Sequence, residues 1–145
     1  MLADKYPARL SYRGDTLRFS NDRKYLYATT RGKTPAVKGI VVVWNVDART
    51  GLLSGDDTVG PRDQEAAIEP IHRYETRNSG GKANAIEVCP FAPTASTQQV
   101  RRAEWIVLTD DEEGWVAILE WDGVRITEIA SVQLPDGASH AIWLS

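Results

Sequence analysis

Arg31 stands where the first of two strand-like runs ends within residues 24–44, KYLYATTRGKTPAVKGIVVVW. Residues 24–30 alternate aromatic and small side chains, and residues 40–44 are mostly β-branched, so both runs favour strands. The glycines and the proline of RGKTPAVKG predict a loop that turns the chain back. A guanidinium held at a strand end can bind a carboxylate through two parallel hydrogen bonds, although many strand-end charges only hydrate a hairpin.

Lys82 and Asn84 belong to a second polar segment, NSGGKANA, which is rich in glycine and precedes a strand-like run. It is not a phosphate-binding P-loop, because the GxxxxGK[ST] spacing and the following helix are both missing. The two glycines allow backbone N–H groups to approach a ligand, and they equally suit a simple turn. In the first interpretation Lys82 and Asn84 contact an anion.

His140 is predicted to begin a strand at the end of the fold where Arg31 is also predicted to lie. It is the one histidine suited to acid–base chemistry. His72 falls on a predicted outer strand and is given no chemical role. The two histidines are too far apart to predict a zinc site, and TDDEEG at residues 109–114 lacks the alternating ligands of a calcium loop. No metal and no cofactor is expected. Asp110 can still orient a neighbouring arginine.

The single cysteine, Cys89, excludes an internal disulfide and is expected to be a buried structural residue. The chain has 145 residues with a net charge of -3 and a pI of about 5.4, which argues against a general nucleic-acid surface. No apolar run approaches the roughly 20 residues that span a bilayer, so no membrane is expected as a partner. Without a recognisable signal peptide, the predicted location is cytoplasmic.

The strand signals form a repeat that organises these residues. Strands are predicted at residues 15–20, 24–31, 39–47 and 69–76, with a loop over 48–67. A second set follows at 83–90, 104–110, 115–121 and 124–134, and residues 139–144, SHAIWL, open a third. Repeated four-strand antiparallel units are typical of a β-propeller. We therefore predict an all-β fold with blades at 13–77 and 78–135, the start of another at 138–145, and an incomplete ring.

This architecture predicts a common rim for the candidate residues. In a propeller blade the loop that enters the first strand and the loop that leaves the second strand lie on the same face. Residues 13–15, 80–84 and 138–140 enter first strands, whereas Arg31 and residues 110–111 leave second strands. Ligand sites favour loops held on a rigid scaffold in this way.

Four segments in series resemble one known family: YRGDTLRFSNDRKYLYATTRGKTPAVKGIVVVWNVD, ETRNSGGKANAIEVCPF, LTDDEEGWVAILEWDG and SHAIWL. They are similar to the C-terminal part of the fungal carboxy-cis,cis-muconate cyclases, in the seven-bladed propeller superfamily that includes 6-phosphogluconolactonases. The resemblance implies an isomerase that closes 3-carboxy-cis,cis-muconate to a lactone in the β-ketoadipate route of aromatic catabolism. It implies a small tricarboxylate as the partner molecule, and Arg31 matches the family's arginine at this strand end.

The chain also departs from the family pattern. Related enzymes can have histidine in place of Lys82, and His140 is not shared by every member. The family's central histidine lies in an HGMVFDP-like motif of an earlier blade, and this motif is absent from the sequence. Three hypotheses follow: a cyclase that carries part of its site here, a lactone hydrolase of the same superfamily, or a non-catalytic propeller piece. Open blade edges also predict self-association.

Overall fold

The computed structural model describes residues 12–32, 38–47, 49–54, 70–76, 83, 85–91, 103–110 and 114–144. All regular elements among these residues are strands. None of the described residues forms a helix that is long and apolar enough to cross a membrane. In chain order the strands are β1 (Tyr12–Phe19), β2 (Tyr25–Gly32), β3 (Ile40–Val46), β4 (Leu53–Ser54), β5 (His72–Glu75), β6 (Ala85–Val88), β7 (Glu104–Thr109), β8 (Trp115–Trp121) and β9 (Ile126–Gln133).

The strands form two antiparallel sheets, which confirms the predicted all-β class and the two repeated units. Sheet 1 has the order β1-β2-β3, and both β4 and β5 pair with β3. β4 pairs with the C-terminal end of β3 and β5 with its N-terminal half, so two short strands share the fourth position. Sheet 2 is the meander β6-β7-β8-β9. β4 lies within residues 48–67, where a loop was predicted. The prediction missed this strand because two residues leave no periodic signal.

Residues 139–144 differ from the strand that was predicted to open a third unit. Within the described part of the chain no strand pairs with these residues, so they are not assigned as a strand. The segment is held by isolated bonds instead. Thr109 Oγ1 donates a hydrogen bond to the carbonyl oxygen of Ser139 at 3.3 Å, and Trp143 Nε1 donates one to the carbonyl oxygen of Glu87 at 3.1 Å.

The hydrophobic core lies between the two sheets. Alternation along each strand sends every second side chain to the facing sheet. The buried residues on these two faces are Tyr27, Val41 and Val43 of sheet 1 and Ile86, Ile106, Leu108, Leu119, Trp121 and Ile126 of sheet 2. Each large apolar side chain buried in this way contributes about 1.5–3 kcal/mol. The opposite face of sheet 1 is less covered, as Leu17 and Phe19 are 61% and 53% exposed.

A polar network joins the sheets at the end where β2 and β7 begin. Tyr27 donates its hydroxyl hydrogen to Glu104 Oε1 at 2.5 Å, and the Asn21 backbone N–H donates to Glu104 Oε2 at 2.9 Å. Asn21 Nδ2 in turn donates to the carbonyl oxygen of Cys89 at 2.6 Å. Burial raises the pKa of Glu104, and the two donors oppose that rise. Burial and the neighbouring Glu104 also raise the pKa of the Tyr27 hydroxyl.

His72 makes a second connection between the sheets. The Ile126 N–H donates to His72 Nε2 at 3.1 Å, and the imidazole lies 5.7 Å from the Trp121 ring, centroid to centroid. An imidazole that accepts at Nε2 carries its hydrogen at Nδ1 and is neutral. Burial lowers the pKa of His72, with Asp122 opposing the shift. The residue therefore has a structural role in holding β5 against β9.

We expect Tyr27→Phe to lower the free energy of unfolding by about 1–3 kcal/mol, because a half-buried carboxylate loses its hydroxyl donor. Urea denaturation followed by tryptophan fluorescence measures this change. Tyr74→Phe is the matched control, since the Tyr74 hydroxyl also donates to a glutamate, Glu128, but at a longer 3.2 Å. Equal stability of Tyr27→Phe and the parent would refute a stabilising role for this bond.

Stability should also fall as the pH drops from about 7 towards 5, in part through His72. A histidine whose folded-state pKa is depressed gives its full stabilisation above its unfolded value near 6.5, and loses it as the pH falls through the folded value. Protonation also removes the acceptor of the Ile126 N–H. His72→Gln keeps a side-chain acceptor without a titrating group, so its melting temperature should depend less steeply on pH in this range. If the melting temperature of His72→Gln depended on pH as steeply as that of the parent, His72 would not contribute to the pH dependence of stability.

Candidate functional site

The strand registers bring several chain segments to one end of sheet 1. Thr30 of β2 pairs with Ile40 of β3, and Ile40 pairs with Glu75 of β5. The Thr76 N–H donates to the carbonyl oxygen of Gly39 at 2.9 Å. The C-terminal ends of β2 and β5 and the start of β3 therefore lie together. We call this the Arg31 end of the sheets, and it is opposite the Tyr27–Glu104 network.

Arg31 lies at this end directly opposite Arg13 of β1. The neighbouring pair is Gly14 with Thr30, and the ladder is irregular between Gly14 and Leu17. Thr29, two residues before Arg31, is fully buried, and its Oγ1 accepts a hydrogen bond from the Thr16 N–H at 3.0 Å. This bond fixes the backbone of β1 against β2 close to the two arginines.

Backbone hydrogen bonds hold Asp110 at the same end of sheet 2. Its N–H donates to the carbonyl oxygen of Trp115 at 2.8 Å, and its own carbonyl oxygen accepts from Gly114 at 3.1 Å and from Ala138 at 3.4 Å. Gly114 has a φ of 72°, and a Cβ there would lie 2.7 Å from the carbonyl oxygens of Leu134 and Asp136. Only glycine fits this position. Asp110 is 6% exposed.

A small cavity opens between the sheets at this end. It encloses about 30 Å³, space for about two water molecules, which is far too small for a tricarboxylate. Tyr74 donates to Glu128 Oε2 across it at 3.2 Å. Thr76 Oγ1 is buried and makes no hydrogen bond within the part of the chain that the structure describes. The lining residues are Tyr74, Thr76, Leu108, Asp110, Trp115, Ala117, Glu128 and Ser131.

The structure describes only some of the predicted site residues. Arg31 is in β2, at the predicted strand end. His140 is exposed and follows Ser139, whose carbonyl oxygen accepts a hydrogen bond from Thr109, so the segment 138–140 lies near the end of β7 without entering a strand. Lys82, Asn84 and Asp111 lie outside the described residues.

Sequence reasoning missed the cavity residues Tyr74, Thr76 and Glu128. The alternation of EPIHRYET places Tyr74 and Thr76 on one face of a strand, which was a usable signal. Glu128 gave no local signal, because it joins Tyr74 only through the packing of β9 against β5. Contacts between sheets depend on their relative placement and cannot be deduced from strand periodicity.

The arrangement combines two kinds of polar group at one end of the molecule. The ladder pairs two arginines, Arg13 of β1 and Arg31 of β2, near this strand end. Asp110 and Glu128 supply carboxyl groups beside the water-sized cavity. No group of three or more metal-ligating side chains occurs among the described residues.

Two known proteins are similar to the chain. It is 25% identical to a carboxy-cis,cis-muconate cyclase of Neurospora crassa over 134 residues, 91% of the chain and 30% of the relative. It is 33% identical to muconate cycloisomerase 1 of Cutaneotrichosporon cutaneum over 119 residues, 81% of the chain and 26% of the relative. No family model matches the chain. The resemblance predicted from the motifs is confirmed, and the chain spans less than a third of either relative.

Thr76→Val should leave stability unchanged or raise it by up to about 1 kcal/mol, because it removes a buried hydroxyl that makes no described bond. Thr29→Val is the matched control. It should cost about 1–2 kcal/mol, since the Thr16 N–H loses its acceptor. Thermal denaturation of both variants measures the difference. A large loss for Thr76→Val would mean that its hydroxyl has a partner in the folded protein.

Proposed function

We propose that this chain supplies part of the substrate site of a carboxymuconate cyclase-like isomerase. The observation that carries the proposal is the similarity to two proteins named as a muconate cyclase and a muconate cycloisomerase, over 91% and 81% of the chain. Arg31, at the end of β2, occupies the strand end where the resemblance implies a substrate-binding arginine. The proposed reaction is the lactonisation of 3-carboxy-cis,cis-muconate in the catabolism of aromatic compounds.

The reaction is an intramolecular addition. A carboxylate oxygen of the substrate forms a C–O bond to one carbon of a double bond, and the other carbon of that double bond receives a proton. No oxidant or reductant is needed, since the substrate and the lactone are isomers. In this proposal Arg31 binds a substrate carboxylate through its guanidinium fork. The energy of binding this carboxylate is used to hold the reacting oxygen close to the double bond in the correct orientation.

The guanidinium has a second effect in this proposal. When the C–O bond forms, negative charge spreads onto the rest of the conjugated acid before the proton arrives. A fixed cation beside that charge stabilises the transition state more than the ground state. The chain matches 30% and 26% of its two relatives, so the proposal assigns it one substrate-binding group rather than the whole reaction. The proton donor is assigned to the rest of the propeller.

A cyclase assay tests this proposal. The loss of the ultraviolet absorbance of 3-carboxy-cis,cis-muconate is followed with the purified chain, alone and mixed with the part of the Neurospora crassa cyclase that the chain does not match. We expect turnover in the mixture, and a fall in kcat/KM on the order of 10²–10³ for Arg31→Gln. Arg125→Gln, at an exposed turn, is the matched control for loss of one positive charge.

Three results would contradict the proposal. Equal turnover by Arg31→Gln and the parent would remove the arginine from the site. Hydrolysis of 6-phosphogluconolactone without muconate turnover would identify a lactone hydrolase. No turnover of either compound, alone or in the mixture, would identify a non-catalytic propeller piece.

A further inference from the structure

Strand β9 forms an outer edge of sheet 2 that is open to solvent. Within the described part of the chain it pairs with β8 on one side and with no strand on the other. An edge of this kind presents a row of backbone N–H and C=O groups that another strand can bind. Residues 130–134, ASVQL, at the C-terminal end of β9 are all exposed and include no charged side chain.

The hydrogen-bond pattern shows which backbone groups face this edge. The Leu134 N–H donates to the carbonyl oxygen of Gly114 at 2.8 Å, so these two residues form a hydrogen-bonded pair. Hydrogen-bonded pairs alternate along an antiparallel ladder, and the register continues without a shift through Val132 and Ala130. These two residues therefore bond to β8, whereas Ser131 between them directs its N–H and C=O away from β8.

The other sheet edges carry features that oppose strand addition. β1 contains a ladder irregularity, and its Arg18 forms an ion pair with Glu87 of β6. β6 is only 4 residues long, and the outer position of sheet 1 is divided between the short strands β4 and β5. Natural sheets use short strands, irregular ladders and charged side chains against edge-to-edge pairing. Residues 130–134 have none of these features, because the irregularity of β9 lies before Ala130.

A second copy of the chain is the partner that this edge suits. Two copies of the segment can run antiparallel about a two-fold axis at Ser131, so that each Ser131 N–H donates to the carbonyl oxygen of the other. Ala130 of one copy then lies opposite Val132 of the other, and apolar side chains at directly opposed positions pack together. No like charges are opposed, since the segment is uncharged and Glu128 falls opposite Leu134.

We propose that residues 130–134 form a self-association surface, through which two copies of the chain join their second sheets into one continuous antiparallel sheet. Both copies use the same segment, so the pairing is complete at two copies. A ladder of this length buries less than the roughly 1,200 Å² of a standard interface, so the dimer is expected to dissociate on dilution. The inference depends on the strand register and the exposed segment, and not on the proposed function.

Size-exclusion chromatography with light scattering over a range of concentrations tests the association. The parent is expected to reach twice the chain mass at high concentration. Val132→Lys should weaken the dimer at least tenfold, because it places a charge in the shared ladder. Ser131→Pro should do the same, since it removes the N–H that faces the second copy and leaves the bonds to β8 intact. Val124→Lys puts the same charge before β9, at a residue that is 59% exposed, and should dimerise like the parent.

Amide hydrogen exchange followed by NMR identifies the residues in the contact. The Ser131 amide should exchange at least tenfold more slowly at a concentration that favours the dimer than at one that favours the monomer. The Val132 amide already bonds to β8, so its exchange should change much less. Tryptophan fluorescence and thermal denaturation of the monomeric variants establish that each of them remains folded.

Any of the following results would overturn the inference: a parent that is monomeric at every concentration, association that survives both Val132→Lys and Ser131→Pro, unchanged exchange of the Ser131 amide in the dimer, or growth beyond two copies. Leu17→Lys separates this surface from the outer face of sheet 1, where Leu17 is 61% exposed. Loss of association in that variant alone would place the contact on sheet 1 instead. The cyclase assignment is tested separately, by turnover.

Discussion

The packing of Tyr27 between the two sheets is the contact on which the rest of the structure depends. Its ring is fully buried in the core that joins them, and its hydroxyl reaches Glu104 of the other sheet. One side chain therefore supplies both apolar contact and a polar bond of fixed direction. Arg31 follows four residues later on the same strand, a distance of about 13 Å at the rise of a β-strand. Because β2 is paired on both sides, fixing Tyr27 also fixes the place of Arg31.

Described polar contacts connect the sheets at the Tyr27 end, and a few buried polar atoms elsewhere have no described partner. At the Tyr27 end, Glu104 accepts two hydrogen bonds and Asn21 links it to Cys89. At the Arg31 end, the hydroxyls of Thr30 and Thr76 are buried without a described partner. The division is not complete, since the indole N–H of Trp121 is also buried without one. The hydrogen bonds of Glu104 and Asn21 therefore join the two sheets, whereas the two threonine hydroxyls add no described bond between them.

The sequence predicted the strands well because alternation and β-branched runs are local properties. The eight strands predicted in the two units match β1–β3 and β5–β9, and the repeat led to the two sheets. The features it missed depend on distant residues. β4 is defined only by its pairing with β3, and the contact between Tyr74 and Glu128 joins residues 54 positions apart. Arg13 was placed at the entry to the first strand, but its pairing with Arg31 could not be deduced, since the bulge leaves no mark in the hydrophobic pattern.

The parts of the candidate site thus differ in how many strands and sheets are required to form them. Arg13 and Arg31 are set opposite each other by one hairpin, so their spacing is determined within sheet 1. The cavity beside Asp110 and Glu128 needs both sheets. The proposed lactonisation needs a proton donor aligned with a bound substrate as well as a group that binds it. A segment that spans less than a third of its relatives can therefore retain the first of these properties independently of the last.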